Sequence, residues 1–289
     1  MSIQDRLGEN PEVGESPEDV FDALWRRSLD SGNVLPKSFR WRLYHILNFP
    51  YNIFSKQRLL LNIVKGEIIA MYGQLKDLRI LEPGFGTGVI STRLSSCGSD
   101  VHFLDISDNA LKLIKKIPSY NSRKLIRASM FEMPFVDEAF DVVWNEGVLE
   151  HFSEEQQIAA LKEYTRVLKR GGLMVLIVPK EGAPFYQAGA RRAQEAGIWR
   201  YGYEKPMSTL KNLAERVEDL RIVKEYSCGF LIETQFLGYF LAAAGRWRLK
   251  LVYDLLNGWL NMLLWPLNKL PGNLLISVLR KEQDSEKCL

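Results

Sequence analysis

The run Ile80-Leu81-Glu82-Pro83-Gly84-Phe85-Gly86-Thr87-Gly88-Val89 constrains this chain more than any other stretch. An apolar strand leads into alternating glycines and then into a helical segment. Glycines let the backbone turn tightly and approach a ligand closely, beside the positive end of the helix that follows. The same rhythm continues downstream. Strands are predicted at 78–82, 101–105, 124–128, 140–144 and 173–178, with helices at 87–96, 108–117 and 153–169 between them. Ser153 and Gln156 have capping-box spacing, and Gly171-Gly172 is expected to end the last of these helices. Alternation of this kind predicts an α/β fold with a doubly wound, mostly parallel sheet.

A glycine-rich loop alone does not name its ligand, because dinucleotide enzymes use one too. Two details separate the cases. The sixth position of a dinucleotide fingerprint is glycine, and here it is Val89. Glu82 at the strand end would repel a pyrophosphate but suits a ligand carrying positive charge, such as the ammonium and sulfonium of S-adenosylmethionine. Asp105 ends the second strand, where a carboxylate can accept hydrogen bonds from both ribose hydroxyls, although capping the next helix is an alternative role.

With Met133-Pro134-Phe135, Phe140-Asp141-Val142-Val143 and Leu149-Glu150-His151-Phe152 in order after these motifs, the chain resembles a class I S-adenosylmethionine-dependent methyltransferase. Within that family it is similar to the "type 11" small-molecule group, which includes quinone-biosynthesis enzymes. The resemblance spans about residues 56–230. It implies a Rossmann-like, seven-stranded sheet whose last strand, at 274–279, runs antiparallel. It implies that Gly84, Gly86 and Gly88, with Phe85, meet the methionine portion, Asp105 the ribose and Ile106 the adenine face. Ser129 stands where many relatives carry an acid against the adenine amino group, with Met130 and Phe131 as flat apolar contacts and Asn145 facing the cofactor. Glu146 and His151 are the candidate general bases, and a structural role for His151 is the competing reading. Gly147 interrupts the Glu-x-x-Glu-His metal triad of some relatives, so no metal is expected.

The remaining length is read as additions to this core: an acidic tail at 1–18, an aromatic and basic helical cap at 19–55, and an apolar helical addition at 233–270. The core occupies 56–232 with a lid at 180–207, its last strand lies at 271–281, and a short tail follows at 282–289. In the lid, Phe185, Tyr186, Trp199, Tyr201 and Tyr203 alternate with Arg191, Arg192 and Arg200, which suits a substrate with an anionic group. In the segment 251–267, Asp254, Asn257, Gly258 and Asn261 form one narrow polar stripe on an otherwise apolar helix. Such a helix is expected to bury most of its circumference, first as a cap over the substrate. A homodimer contact or peripheral insertion in a membrane through 246–269 comes next.

A net charge of +3 without a basic tract argues against nucleic acid, and the three cysteines, Cys97, Cys228 and Cys288, lack disulfide or metal spacing. An acidic start without a signal-like apolar stretch points to a cytoplasmic protein. The seven tryptophans and 11% aromatics, many of them near the two chain ends, favour a hydrophobic small-molecule acceptor or a lipid or quinone at a membrane face. Aminopropyl transfer on the same fold lacks its expected paired aspartates. A non-catalytic, cofactor-binding scaffold is the rival from another class.

Overall fold

The computed structural model describes residues 16–31, 56–117 and 124–283. Helices α1 (Pro17–Ser31) and α2 (Lys56–Tyr72) precede β1 (Arg79–Pro83), α3 (Val89–Ser95), β2 (Asp100–Asp105), α4 (Asp108–Ile114), β3 (Leu125–Arg127) and β4 (Phe140–Glu146). After a 3-10 turn at Leu149–His151 come α5 (Glu154–Val167), β5 (Leu168–Pro179), α6 (Pro184–Glu195), α7 (Lys211–Ala214) and β6 (Leu220–Cys228). Helices α8 (Phe230–Glu233), α9 (Gly238–Ala243) and α10 (Trp247–Leu263) lead to β7 (Leu274–Lys281).

The strands form one seven-stranded sheet in the order β3-β2-β1-β4-β5-β7-β6. Strands β1 to β5 pair in parallel, while β7 runs antiparallel between β5 and β6, as the resemblance implies. Hydrophobic layers cover both faces. Leu81, Val143, Met174 and Leu176 face α5, whereas Ile80, Val142, Trp144 and Val175 face α2 and α3. Two-sided burial explains why the strand sequences read as continuous apolar runs. The strand order reverses between β1 and β4. Their carboxyl ends therefore open a crevice, the usual ligand position in a doubly wound sheet.

Local signals account for most element ends. The Ser153 capping box forms, with Ser153 Oγ accepting from Gln156 N and Gln156 Oε1 accepting from Ser153 N. The helix stops at Val167, earlier than its glycine pair suggests, because Leu168 turns extended and enters β5 directly. Gly171 and Gly172 therefore lie within that strand. At the amino end, α1 begins inside the span predicted to be a tail. Ser16 Oγ accepts from Asp19 N at 3.3 Å, and Pro17 occupies the first turn, where its missing N–H costs nothing. The predicted cap residues from Phe39 to Phe54 lie outside the described residues.

The apolar addition departs furthest from expectation. The polar stripe of α10 faces inward: Asn257 and Asn261 are buried, and Asn261 Nδ2 donates to the Asn257 carbonyl at 2.9 Å. Asn268 continues the network, accepting from Ile232 N at 2.9 Å and donating to Asn261 Oδ1 at 3.2 Å. The apolar face points outward, with Leu256 65% and Leu263 71% exposed beside Leu249, Val252, Trp259 and Leu260. This helix does not bury most of its circumference.

Candidate active site

The crevice is the mouth of a cavity of about 830 Å³, near the upper end of the roughly 300–1,000 Å³ typical of small-molecule sites. One wall is the strand–loop–helix motif. Gly84, Gly86 and Gly88 all adopt positive φ, which turns the chain from β1 into α3. A Cβ built on Gly86 would lie 2.7 Å from Trp25 Cζ2, so glycine is needed there for approach as well as for conformation. Asp105, at the end of β2, ties the loop together. Its Oδ2 accepts from Gly86 N at 3.0 Å and its Oδ1 from Ser107 N at 2.9 Å.

Glu82 is buried, lines the cavity, and leaves Oε2 without a hydrogen-bond partner. Burial pushes its carboxyl well above the ordinary carboxylate range. An orphaned carboxylate oxygen beside a glycine cradle and a second buried carboxylate fits a ligand with an ammonium at one end and a ribose at the other. S-adenosylmethionine meets that requirement. Glu82, the glycine loop and Asp105 line one wall of the same cavity. Ile106 stands 42% exposed at the rim, and Ser129, Met130 and Phe131 also line the cavity.

Of the residues the sequence groups at the cofactor, Glu82, Gly84, Phe85, Gly86, Gly88, Asp105, Ile106, Ser129, Met130 and Phe131 do line the cavity. Asn145 does not. Successive strand residues point to opposite faces, so Glu146 takes the cavity side of β4 and Asn145 the α5 side. There Asn145 Nδ2 donates to the Tyr164 hydroxyl at 3.1 Å, and that hydroxyl donates to Met130 Sδ at 3.1 Å. Asn145 thus supports the cavity residue Met130 from beneath, through Tyr164.

The candidate bases are differently committed. Glu146 forms an ion pair with Lys56, at the start of α2. His151 is buried, its Nδ1 lies 2.7 Å from the Tyr203 carbonyl, and the Phe21 ring packs edge-on against it at 4.8 Å. Burial pushes the imidazole down to about 4, so the ring is neutral at ordinary pH. With Nδ1–H donating to the carbonyl, the lone pair remains on Nε2.

Two further groups of residues build this site; the sequence places their aromatics in the predicted cap, lid and apolar addition but does not show how those pieces dock. The first lies on α1, which crosses the mouth. Asp22 accepts from Ser107 Oγ at 2.6 Å and Asn109 Nδ2 at 2.8 Å, clamping α1 to the start of α4. Phe21 and Trp25 then line the cavity. The Ser-Pro-Glu-Asp start at 16–19 is a readable helix signal, but nothing local reveals where that helix docks. The second is the far wall, where Tyr186, Trp199, Phe236 and Tyr239 cluster beside Glu150 and Glu204. Glu233 positions this wall by accepting from Phe185 N and Tyr186 N at the start of α6. Arg191, Arg192 and Arg200 are absent from the lining, so the expected anion-binding lid is not what the lid presents.

Comparison with known proteins agrees with this geometry. Residues 81–176 match the family model described as a methyltransferase domain. A demethylmenaquinone methyltransferase of Staphylococcus aureus is 30% identical over 141 residues, covering 47% of this chain and 54% of that protein. A malonyl-acyl-carrier-protein O-methyltransferase of Buchnera aphidicola is 31% identical over 134 residues, covering 46% and 51%. The chain thus spans about half the length of these curated relatives. Among solved structures, a protein assigned as a sarcosine dimethylglycine methyltransferase of Galdieria sulphuraria aligns with a TM-score of 0.52 at 17% identity, over 78% of this chain and 86% of that one. A chain from the complex of the Haloferax volcanii Trm112 methyltransferase activator with a methyltransferase also aligns at 0.52, with 13% identity and 91% and 98% coverage. At such identities these two likenesses show the fold alone. The matched segment contains Glu82, the three glycines, Asp105 and His151, and residues 81–176 accordingly belong to the class I S-adenosylmethionine-dependent methyltransferase domains.

Proposed function

We propose that the chain transfers a methyl group from S-adenosylmethionine to a hydrophobic small molecule bound between the glycine loop and the aromatic wall of α6 and α9. The observation that carries this reading is the continuity of one cavity. The same 830 Å³ space reaches from Glu82 and Asp105 to Tyr186, Trp199, Phe236 and Tyr239. The cofactor supplies an electrophilic methyl carbon on its sulfonium. The protein's task is then to hold the acceptor atom in line with that carbon and to exclude water. Trp25 and Phe21 close the mouth, and the aromatic wall excludes water from the other side.

Where the acceptor must lose a proton, His151 is the better-placed base. It is neutral, its tautomer is held by the Tyr203 carbonyl with the lone pair on Nε2, and the residue lines the cavity. Glu146 is already paired with Lys56, so it orients that lysine and keeps one wall of the cavity charge-balanced. The test is transfer of tritium from methyl-labelled S-adenosylmethionine into an organic-soluble product, using total lipid and quinone extracts as acceptor. Label in the organic phase that disappears in H151Q but not on mock incubation supports the reading. Label found only in protein or nucleic acid contradicts the acceptor class.

The outward apolar face of α10 favours a finer version, in which the acceptor is taken from a membrane surface. Arg246, Arg248 and Lys269, all exposed, lie toward the two ends of this segment in sequence, as expected of an interfacial helix beside anionic lipid. No described helix is long and apolar enough to cross a membrane. Co-sedimentation with anionic vesicles should pellet the native chain and leave L256E/L263E in the supernatant. Equal pelleting of the two contradicts membrane docking, and a dimer lost in that variant assigns the face to self-association instead.

A further inference from the structure

The far end of the cavity has a charge pattern that methyl transfer to an apolar molecule does not require. Glu150 is 1% exposed, lines the cavity, and leaves Oε2 without a hydrogen-bond partner. Its nearest basic group, His151 Nε2, is 3.8 Å from Oε1, too far for a hydrogen bond. Glu204 is brought beside it by backbone. Lys205 N donates to the Glu150 carbonyl at 2.9 Å, and the Tyr203 carbonyl lies 2.7 Å from His151 Nδ1. The Tyr186 hydroxyl stands close enough to the Glu204 carboxylate to act on it.

The lysines that line this cavity, Lys56 and Lys250, are held by their own carboxylates, Glu146 and Asp254. Glu150 and Glu204 are therefore left facing the cavity with no dedicated cation, although Lys56 is near enough to act on both. Burial first, and then the Glu204 charge, pushes the Glu150 carboxyl well above its ordinary range. A carboxylate this buried is costly unless a positive charge or a hydrogen-bond donor meets it.

Around these acids stand aromatic rings. Tyr186 packs edge-on to Phe236 at 4.8 Å, and Trp199 lies 5.8 Å from Tyr239. Trp199 is itself buried and its Nε1–H is unpartnered, a second polar atom awaiting a ligand group. Aromatic faces next to carboxylates favour organic cations, through ring quadrupoles and charge together. Among the described residues no three His, Cys, Asp or Glu side chains are grouped to hold a metal ion, so the acids are not arranged as a metal cage.

We infer that Glu150 and Glu204, walled by Tyr186, Trp199, Phe236 and Tyr239, form an anchoring subsite for a protonated amine carried by the methyl acceptor. This deepens the proposed function and rests on the cavity being the acceptor site. The acceptor is then an amphiphile, with an apolar body and a cationic group, rather than a neutral or anionic molecule. The anchor orients the acceptor. It does not itself remove a proton from the atom that is methylated.

The test uses the full chain saturated with S-adenosylhomocysteine at pH 8, titrated by calorimetry with 2-phenylethylamine, 2-phenylethanol and phenylacetate. These probes share a ring and a two-carbon arm and differ in charge. The amine should bind at least tenfold more tightly than the alcohol, and phenylacetate more weakly still. Both E150Q and E204Q should lose most of that preference while retaining native affinity for S-adenosylhomocysteine, which also reports that they fold. Equal binding of the amine and the alcohol, no binding of the amine, or an amine preference untouched in both variants overturns the anchor. If S-adenosylhomocysteine itself fails to bind while the amine preference persists, the methyltransferase reading falls and the amine subsite stands.

Discussion

Removing the Asp22 clamp should loosen α1 without touching the sheet. In D22A the Ser107 hydroxyl and the Asn109 amide lose acceptors at 2.6 and 2.8 Å, and the start of α4 loses a negative charge. Hydrogen bonds to a charged group contribute about 1.5–3 kcal/mol each when well buried, but the Asp22 side chain is 29% exposed, which brings each of the two nearer the low end of an ordinary bond's range, about 0.5–1 kcal/mol. Adding about 0.3–1 kcal/mol for the helix terminus gives a total near 2 kcal/mol. That corresponds to roughly a 30-fold rise in the open population. Native-state hydrogen exchange reads this directly. Amides of α1 around Phe21 to Arg27 should exchange about 30-fold faster, while those of β1 and β4 keep their protection. S-adenosylhomocysteine should restore much of the lost protection, because Trp25 sits over Gly86. By linkage it should also bind D22A more weakly. Unchanged exchange in α1, or equal acceleration in β4, would refute the idea that Asp22 holds a lid separable from the core.

Two other substitutions test neighbouring parts of the account. G86A places a Cβ 2.7 Å from Trp25 Cζ2 at a residue with φ +52°, so it should cost about 1–2 kcal/mol in backbone strain, and should weaken S-adenosylhomocysteine more than it lowers the melting temperature. E150Q removes a carboxyl whose pKa is raised on folding, so the native chain has its full share of stability from this group only below the unfolded value of 4.5 and loses it as pH climbs through the folded value. The variant should therefore melt higher than the native chain at pH 8 by a few degrees, at roughly 2–4 °C per kcal/mol, with a smaller gap at pH 5. A gap that stays constant or reverses contradicts a buried, unpaired Glu150.

The cofactor half of this molecule is legible in sequence because its determinants are local. Positive-φ glycines, an acid ending each of two adjacent strands and two-sided apolar strands all act within a few residues of where they are written. The strand register also contains information that is easily overlooked: Asn145 and Glu146 are neighbours on β4, so only one of them can face the cavity. The rest of the cavity depends on long-range packing. Helical periodicity reveals that α10 has a polar stripe, yet the same period fits a stripe turned in or out. Only the docking of Asn261 against Leu231 and Asn268, and of Asn257 against Thr234, decides that it turns in. In the lid, the eye is drawn to arginines, whereas the charged residue that reaches the cavity is Glu204, placed there by backbone contacts of its neighbours to Glu150 and His151.

The central claim is that Glu82, the glycine loop and Asp105 form an S-adenosylmethionine site. Titration of the full chain with S-adenosylhomocysteine by calorimetry, beside D105A and with NAD as the control ligand, tests it most directly. The account predicts one saturable site for the adenosyl ligand, no heat of binding with NAD, and at least a tenfold loss of affinity in D105A. No binding of S-adenosylhomocysteine, or binding that D105A leaves unchanged, would contradict it.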